Sequence, residues 1–295
     1  MVDECPAAFF FGGSSWGCIY DVGAYAGLRE RFGASRLSQA QWGGVSSGAL
    51  AALSCALGMS PEASRSFYDE LAAMARAYGV FGKMSIYHEV VLQRLLPDGG
   101  EQWKAVLGRL HLGVSMPISH FRLVSEWRSN EELREIMHAS MHIPFYMTHR
   151  SRLPDGSMAI DGGATQNVSS IGGLPTCIIS VASPVAHVRP SRPPSLVQLL
   201  LLCYAPASPA ACDAAMAGGR ADALSARLDV DSLQPLSPSL LHATPAALLP
   251  GPAAPRIALQ RAICAAAWLA RRAEELDASS AAATVALLTA AWSRL

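Results

Sequence analysis

Apolar runs alternate with helical patterns over the first sixty residues. The run 7–11 is apolar throughout and ends in two glycines, which is typical of a strand buried on both faces. A helical stretch over 18–32 follows, and Gly33 stands where a C-terminal cap is expected. A second apolar run, 42–45, leads into a helical stretch over 49–57. The order strand, helix, strand, helix predicts a parallel sheet of the α/β class.

The pattern between residues 60 and 182 extends this sheet. Ser60 and Asn130 stand at the start of helical stretches and have side chains suited to cap them. The predicted helices are 61–78, 86–96 and 130–137. The predicted strands are 111–116, 120–127, 158–160 and 176–182. We therefore expect one α/β domain over residues 1–190.

Prolines interrupt the chain at short intervals beyond residue 184. Frequent proline in an alanine-, leucine- and serine-rich background predicts that residues 191–255 form a linker or a poorly ordered segment. Residues 256–295 again have a helical pattern, which is weakly amphipathic. Two interpretations stay open for these C-terminal helices: they pack on the main domain, or they contact a lipid surface.

The charge balance gives no reason to expect a nucleic-acid partner. Lys and Arg together number 23, as do Asp and Glu, so the formal net charge is zero. Charged residues make up 16% of the chain, against about 25% in average soluble domains. This composition fits either a protein that works at apolar surfaces or a large alanine-rich helical core. The apolar run 196–204 is far shorter than the roughly 20 residues that span a bilayer, so we expect no transmembrane helix.

Cysteine and histidine usage predicts a reducing compartment and no metal. The seven cysteines are odd in number, scattered and without a C-x-x-C pair. They favour free thiols in the cytoplasm over a disulfide framework or a zinc site, and the acidic start lacks the basic region of a secretory signal. His88 and the other histidines before residue 161 lack ligand spacing, so we expect them on the surface or in the core.

One pentapeptide has the spacing of a nucleophile elbow. Gly44, Ser46 and Gly48 form the pattern G-x-S-x-G immediately before the apolar helical stretch. A serine on a sharp strand-to-helix turn has a strained backbone, so the residues two before it and two after it must be small. The helix that follows directs its N-terminal N–H groups toward the serine, where negative charge develops during attack on an ester. The pattern predicts Ser46 as a nucleophile.

Two further glycine-rich pieces complete a candidate site. The loop 12–17 follows the first strand, and the N–H groups of Gly12, Gly13 and Ser14 are candidate donors to an oxyanion. Asp161 follows a short apolar run and precedes Gly162 and another glycine, which permit close backbone approach. Asp161 is therefore a candidate proton acceptor for the serine.

A Ser-His-Asp hydrolase is the alternative on the same elbow. In that fold the elbow follows several strands, whereas only one strand and one helix fit before Ser46. The histidines after Asp161 are His187 and His242, and both lie beside proline-rich sequence. We therefore favour a mechanism without histidine, and a triad with either histidine remains the alternative.

The chain resembles the patatin-like phospholipase family, which uses a Ser-Asp dyad. The glycine-rich loop 12–17, the elbow 44–48 and the box 161–163 match the family's three motifs in order, and Asn167 fits its pattern after the aspartate. The segments 122–125, 130–133 and 139–146 resemble the animal branch, which includes adipose triglyceride lipase. The likeness covers about residues 7–185.

The resemblance implies a three-layer α/β/α sandwich with a mostly parallel central sheet. It also implies a lipase or phospholipase that cleaves acyl esters of glycerolipids, triacylglycerol or phospholipid, through an acyl-enzyme on Ser46 with Asp161 as base. No cofactor or metal is implied. The resemblance further implies a cytoplasmic protein bound peripherally to a membrane or a lipid droplet. Trp103, Trp127 and the stretch 141–144 are expected either to line an acyl pocket or to pack in the core.

The chain departs from the family pattern in the first loop. The family usually has glycine where this chain has Ser14, and many members have a basic residue where it has Trp16. A left-handed backbone at Ser14 would cost roughly 1–2 kcal/mol. These departures motivate an alternative function, a weakly active or inactive patatin-fold protein that binds lipid surfaces or regulates other proteins there.

Overall fold

The computed structural model describes residues 5–229 and Leu233, with short gaps. The gaps are 81, 117–119, 144–145, 148–151, 165, 167, 169, 184, 193, 195–197, 199–201, 203–204 and 230–232. The predicted C-terminal helices over 256–295 lie outside the described residues.

A six-stranded, mostly parallel sheet forms the centre of the molecule. Its strands are β1 (Ala8–Phe11), β2 (Gln41–Gly44), β3 (Leu110–Met116), β4 (His120–Val124), β5 (Ile160–Asp161) and β6 (Thr176–Ile179). The order is β4-β3-β2-β1-β6, and β5 pairs with β3. The pairs β1–β2, β1–β6 and β2–β3 are parallel, whereas β4 and β5 both run antiparallel to β3. The fold is an α/β three-layer sandwich, as predicted.

The described residues form the five helices predicted before residue 190 and three further ones that the pattern does not predict. They are α1 (Ile19–Phe32), α2 (Ala34–Leu37), α3 (Ser47–Ala56), α4 (Pro61–Tyr78), α5 (Met84–Leu95), α6 (Gln102–Val106), α7 (Asn130–Ser140) and α8 (Pro209–Ser225). The three further helices are α2, α6 and α8. Short 3₁₀ turns span Ser15–Cys18 and Gly162–Ala164. Within the described chain no helix is both long and apolar enough to cross a bilayer.

Strand β1 is buried on both faces, which explains its unbroken apolar run. Phe9 and Phe11 point to one face, where they stack on Trp42 of β2 with ring centroids 4.8 and 6.0 Å apart. Phe10 points to the other face and packs in a smaller apolar cluster with Ile178 of β6. Because neither face of a central parallel strand meets water, alternation of polar residues is lost there.

One predicted helix N-cap is confirmed and one is wrong. The Ser60 hydroxyl accepts a hydrogen bond from the N–H of Ala63 at 3.2 Å, as an N-cap does. At α7 the N-cap is Ser129 rather than Asn130, because the Ser129 hydroxyl accepts from the N–H of Glu132 at 3.2 Å. Asn130 is the first helical residue, and its buried amide instead joins α7 to the loop before α6.

The prediction that residues 191–255 form a linker or a poorly ordered segment is wrong for helix α8, which lies inside this stretch. The helix packs along α1 at a close approach of the two backbones: a Cβ on Gly23 would overlap the carbonyl of Met216, and one on Gly219 would overlap that of Tyr20. The Tyr20 hydroxyl also donates to Asp222 at 2.8 Å. Residues 209–225 are therefore part of the folded domain.

Candidate active site

The register of the sheet brings Ser46 and Asp161 together. Strand β2 pairs with residues 110–112 of β3, while β4 covers the opposite edge of β3. Strand β5 pairs with Val114 and the next residue of β3, so it must lie on the β2 side, just beyond the carboxyl end of β2. Ser46 follows that end of β2 directly, and Asp161 faces it from β5. Two residues far apart in the sequence thus become neighbours.

Ser46 has the backbone of a nucleophile elbow. Its φ of 53° and ψ of −134° lie in a region that L residues rarely adopt. A Cβ on Gly44 would overlap the carbonyl of Gly48, and a Cβ on Gly48 would overlap the carbonyl of Phe11. Only glycine fits at both positions, for the steric reason that the spacing predicts. Helix α3 begins at Ser47, so the positive end of its dipole lies at the serine.

The Asp161 carboxyl group has a pKa well above its ordinary value. Burial raises its pKa to about 6, while the nearby Ser46 hydroxyl and the Gly163 N–H oppose that rise. The Gly163 N–H donates to Oδ1 at 2.8 Å. The other oxygen, Oδ2, is buried and has no partner at normal hydrogen-bond length among the described residues. Gly162 permits this packing, because a Cβ there would overlap the carbonyl of Gly113.

The end of α7 fixes both residues through backbone hydrogen bonds. The Ser46 N–H donates to the carbonyl of Ser140 at 3.1 Å, and the Asp161 N–H donates to that of His142 at 2.9 Å. The Ser140 hydroxyl donates to the carbonyl of Gly113 on β3 at 2.7 Å, which anchors this turn to the sheet. Sequence reasoning missed these positioning residues, because their contacts use main-chain atoms that no side-chain pattern reveals.

The three predicted oxyanion donors of the first loop differ in their hydrogen bonding. The Gly12 N–H donates to the carbonyl of Ile179 at 2.9 Å, so it is already engaged in the sheet. The Ser14 N–H donates to the Ser47 hydroxyl at 3.1 Å. In the described part of the chain nothing accepts a hydrogen bond from the Gly13 N–H, and a Cβ on Gly13 would lie 2.9 Å from that of Ser46. Gly13 is therefore the predicted donor that adjoins Ser46 and is not engaged.

Serine at position 14 does not have a left-handed backbone. Its φ is −147°, and the left-handed residue of the loop is its neighbour Ser15, with φ of 51°. The cost expected for Ser14 is therefore absent. Trp16, which stands where many family members have a basic residue, is buried, and its Nε1 donates to the Tyr146 hydroxyl at 3.1 Å.

A mostly apolar cavity of about 430 Å³, including its open mouth, contains Ser46 in its wall. Met141 and Ile143 line it, as one of the two interpretations of that stretch predicts, whereas Trp103 and Trp127 do not. The other lining residues are Ser15, Trp16, Cys18, Ser47, Leu50, Tyr68, Leu71, Met84, His88, Tyr146 and Met147. The cavity offers an ester carbonyl at Ser46 an apolar space for its acyl chain.

Histidine positions do not support a triad in the described chain. His187 does not line this cavity, and its Nδ1 accepts a hydrogen bond from the Ile178 N–H at 2.9 Å. His88 does line the cavity, and burial lowers its pKa to about 3, which keeps the imidazole neutral. His242 and Asn167 lie outside the described residues. Among those described, no cluster of three or more His, Cys, Asp or Glu side chains could hold a metal ion.

A family model, Patatin-like phospholipase, matches residues 10–169, more than half of the chain. The chain belongs to the patatin-like phospholipase family. The matched segment runs from β1 through the elbow to Asp161, so it contains all the candidate site residues. No curated protein matches the chain. Patatin-like proteins are usually lipid acyl hydrolases, and a lipid substrate is what membership implies here; the closer likeness to the animal branch stays a prediction.

Proposed function

We propose that this protein is a serine lipid acyl hydrolase, a lipase or phospholipase A, that cleaves acyl esters of glycerolipids through the dyad Ser46 and Asp161. One observation carries the proposal. The hydroxyl of a strained serine lies beside a partly buried carboxylate with a raised pKa, in the wall of an apolar cavity. Metal and cofactor play no part in the proposed chemistry.

In the first half-reaction, Ser46 Oγ attacks the ester carbonyl carbon while Asp161 takes the hydroxyl proton. The tetrahedral intermediate collapses, its bond to the alcohol oxygen breaks, and Asp161 returns the proton to that oxygen. The products are a fatty acyl ester on Ser46 and a free glycerolipid alcohol. In the second half-reaction, Asp161 takes a proton from water as the water attacks the acyl carbonyl. The acyl–Oγ bond breaks, and the proton returns to Ser46.

The raised pKa of Asp161 suits it to this role. A carboxylate at its ordinary pKa near 3.9 is a weak base at neutral pH, whereas one with a pKa of about 6 is a stronger base and still mostly ionised at pH 7. The Gly13 N–H and the N-terminus of α3 support the oxyanion. The Ser14 N–H contributes to oxyanion stabilisation only if its hydrogen bond to the Ser47 hydroxyl breaks.

Helix α5 supports the proposed peripheral contact with a membrane or lipid droplet in the cytoplasm. Its inner face lines the cavity through Met84 and His88. Its outer face exposes Ile86 and Val90, which are 57% and 36% accessible, and Tyr78 before it is 67% accessible. Large apolar side chains exposed on one helix face favour contact with lipid. The cytoplasmic location, the droplet and the lipid class all remain predictions.

Hydrolysis of a lipid panel by the pure protein tests the proposal. Triacylglycerol, phospholipid and retinyl ester are offered to the wild type, to Ser46→Ala and to Asp161→Asn. Two matched controls are Ser35→Ala, an exposed serine on α2, and Asp155→Asn, an exposed turn residue. We expect fatty acid release by the wild type and both controls, and loss of release in both dyad variants. Full activity of either dyad variant would reject the mechanism.

The second candidate function is a lipid-surface binding or regulatory protein with weak or no turnover. The engaged N–H groups of Gly12 and Ser14 favour it, because each missing oxyanion donor costs roughly 10²–10³ in turnover. It predicts binding to lipid vesicles with no fatty acid release from any class in the panel, and equal binding by the wild type and Ser46→Ala. Serine-dependent release of fatty acid excludes it.

A further inference from the structure

A second cavity of about 570 Å³, including its open mouth, adjoins the one at Ser46. Both cavities share the wall residues Cys18, Ser47, Leu50, Tyr68 and Leu71. Most of the remaining wall is apolar, formed by Val22, Ala51, Phe67, Val91 and Leu95 among others. Cys18 lies next to the Ser47 hydroxyl on this shared wall, so the second cavity reaches to within one residue of Ser46. We call the second cavity the distal chamber.

Asp21 of α1 lies in the wall of the distal chamber without any partner. Its side chain is 0% accessible, and neither carboxyl oxygen has a hydrogen-bond partner within the described residues. Burial, and to a lesser extent the proximity of Asp21, raises the pKa of the Cys18 and Cys55 thiols, so these two neighbours of the carboxyl are neutral. No step of the proposed ester hydrolysis uses this carboxyl.

A buried carboxyl without hydrogen-bond partners lowers the stability of the fold unless a bound molecule supplies those partners. Burial raises the pKa of Asp21 well above its usual range, which favours the neutral carboxyl, a group with one O–H donor and a carbonyl acceptor. An unpaired polar group in an apolar environment costs stability, which is recovered when a bound molecule forms its hydrogen bonds. Such groups are few in native proteins, and a bound partner is one explanation for them. The missing partner must carry oxygen or nitrogen.

We propose that the distal chamber receives the substrate's acyl chain and that Asp21 hydrogen-bonds an oxygen atom on that chain, so that the protein prefers oxygenated acyl groups such as hydroxy and oxo fatty acyl esters. The proposal rests on the proposed hydrolase function, since the acyl chain extends from a carbonyl held at Ser46. From there the chain passes Ser47 and Cys18 into the chamber. An unsubstituted chain leaves the Asp21 carboxyl unsatisfied.

Paired ester substrates test the preference. The p-nitrophenyl esters of stearic acid and of monohydroxystearic acids, with the hydroxyl at successive carbons, are compared by kcat/KM for the wild type, Asp21→Leu and Asp21→Asn. At the best hydroxyl position we expect a preference on the order of tenfold or more in the wild type. Asp21→Leu should remove or reverse it, while Asp21→Asn, which keeps a donor and an acceptor, should retain part of it. Asp21→Ala gives the same readout if leucine prevents folding.

A binding measurement separates this proposal from the hydrolase proposal. Calorimetry compares free hydroxystearic acids with stearic acid on Ser46→Ala and on Ser46→Ala with Asp21→Leu, which needs no turnover. Tighter binding of one hydroxy acid, lost with Asp21→Leu, supports the chamber even if no ester is cleaved. Equal kcat/KM and equal binding for all chains in the wild type and Ser46→Ala, or a preference that survives Asp21→Leu, would overturn it.

Discussion

Replacing Asp161 by asparagine should change how stability depends on pH as well as abolish activity. The carboxyl has an ordinary pKa of 3.8 in the unfolded chain and a pKa raised by burial to about 6 in the folded protein. Below pH 3.8 the carboxyl is protonated in both states, so it does not alter the free energy of unfolding. As the pH rises through 3.8 toward 6, the unfolded chain releases the proton first, so the folded state is progressively disfavoured.

The size of this effect follows from the two pKa values. At about 1.36 kcal/mol for each pH unit between them, Asp161 removes roughly 3 kcal/mol of unfolding free energy above pH 6. About 2 kcal/mol of that loss falls between roughly pH 4.5 and 7.5 by the same relation. The variant lacks the titrating group, so its stability relative to the wild type should rise by about 2 kcal/mol over this interval. A pH-independent effect of the new amide on the free energy of unfolding is the same at both ends of the interval, so it does not contribute to this change.

Urea unfolding of the wild type, Asp161→Asn and Asp155→Asn at about pH 4.5 and about pH 7.5 measures this change in the free energy of unfolding. Asp155 is the matched control, because hydrogen bonds from Ser157 and Arg122 lower its pKa to about 2. It is therefore almost fully ionised in both states over the interval, and its variant should keep a constant difference from the wild type. A constant difference for Asp161→Asn as well would show that its pKa is not raised, and would refute the reasoning on the base.

Three further outcomes follow from the site. The kcat/KM for a soluble ester should rise with pH around a single midpoint near 6, because Asp161 must be ionised, and His88→Gln should leave that midpoint unchanged, because His88 is already neutral. Gly44→Ala should abolish activity and lower the melting temperature, because its Cβ overlaps Gly48, whereas Gly58→Ala, at an open turn, should keep activity. Ile86→Asp should reduce vesicle binding and lipid hydrolysis severalfold without affecting a soluble short-chain ester; equal losses on both substrates would contradict surface docking.

The steric requirements of this site are visible in the sequence, while its hydrogen bonding is not. Gly44 and Gly48 are predictable because only glycine fits where two backbones touch, and that requirement fixes their spacing around Ser46. The apolar run of β1 is predictable for a similar reason, since both of its faces are buried. In contrast, the Gly12 N–H is engaged because β6 happens to end opposite it, and no local pattern encodes that register.

Errors elsewhere also have physical causes. Helix α8 has no apolar stripe and packs through Gly219 and other small residues against Gly23 and Gly27, so its composition is similar to that of a linker. Ser129 and Asn130 are both good capping residues, and the choice between them depends on contacts of Asn130 with the loop before α6, which are distant in sequence. Likewise, nothing near Asp21 in the sequence indicates that its carboxyl is buried.

Covalent labelling with a fluorophosphonate, followed by peptide mass spectrometry, tests the central claim most directly. We expect a single stoichiometric adduct on Ser46 in the wild type, with a labelling rate that rises with pH around 6 and falls by orders of magnitude in Asp161→Asn. An adduct on another residue, or labelling of Ser46 at an undiminished rate in Asp161→Asn, would contradict the account of a serine activated by this aspartate.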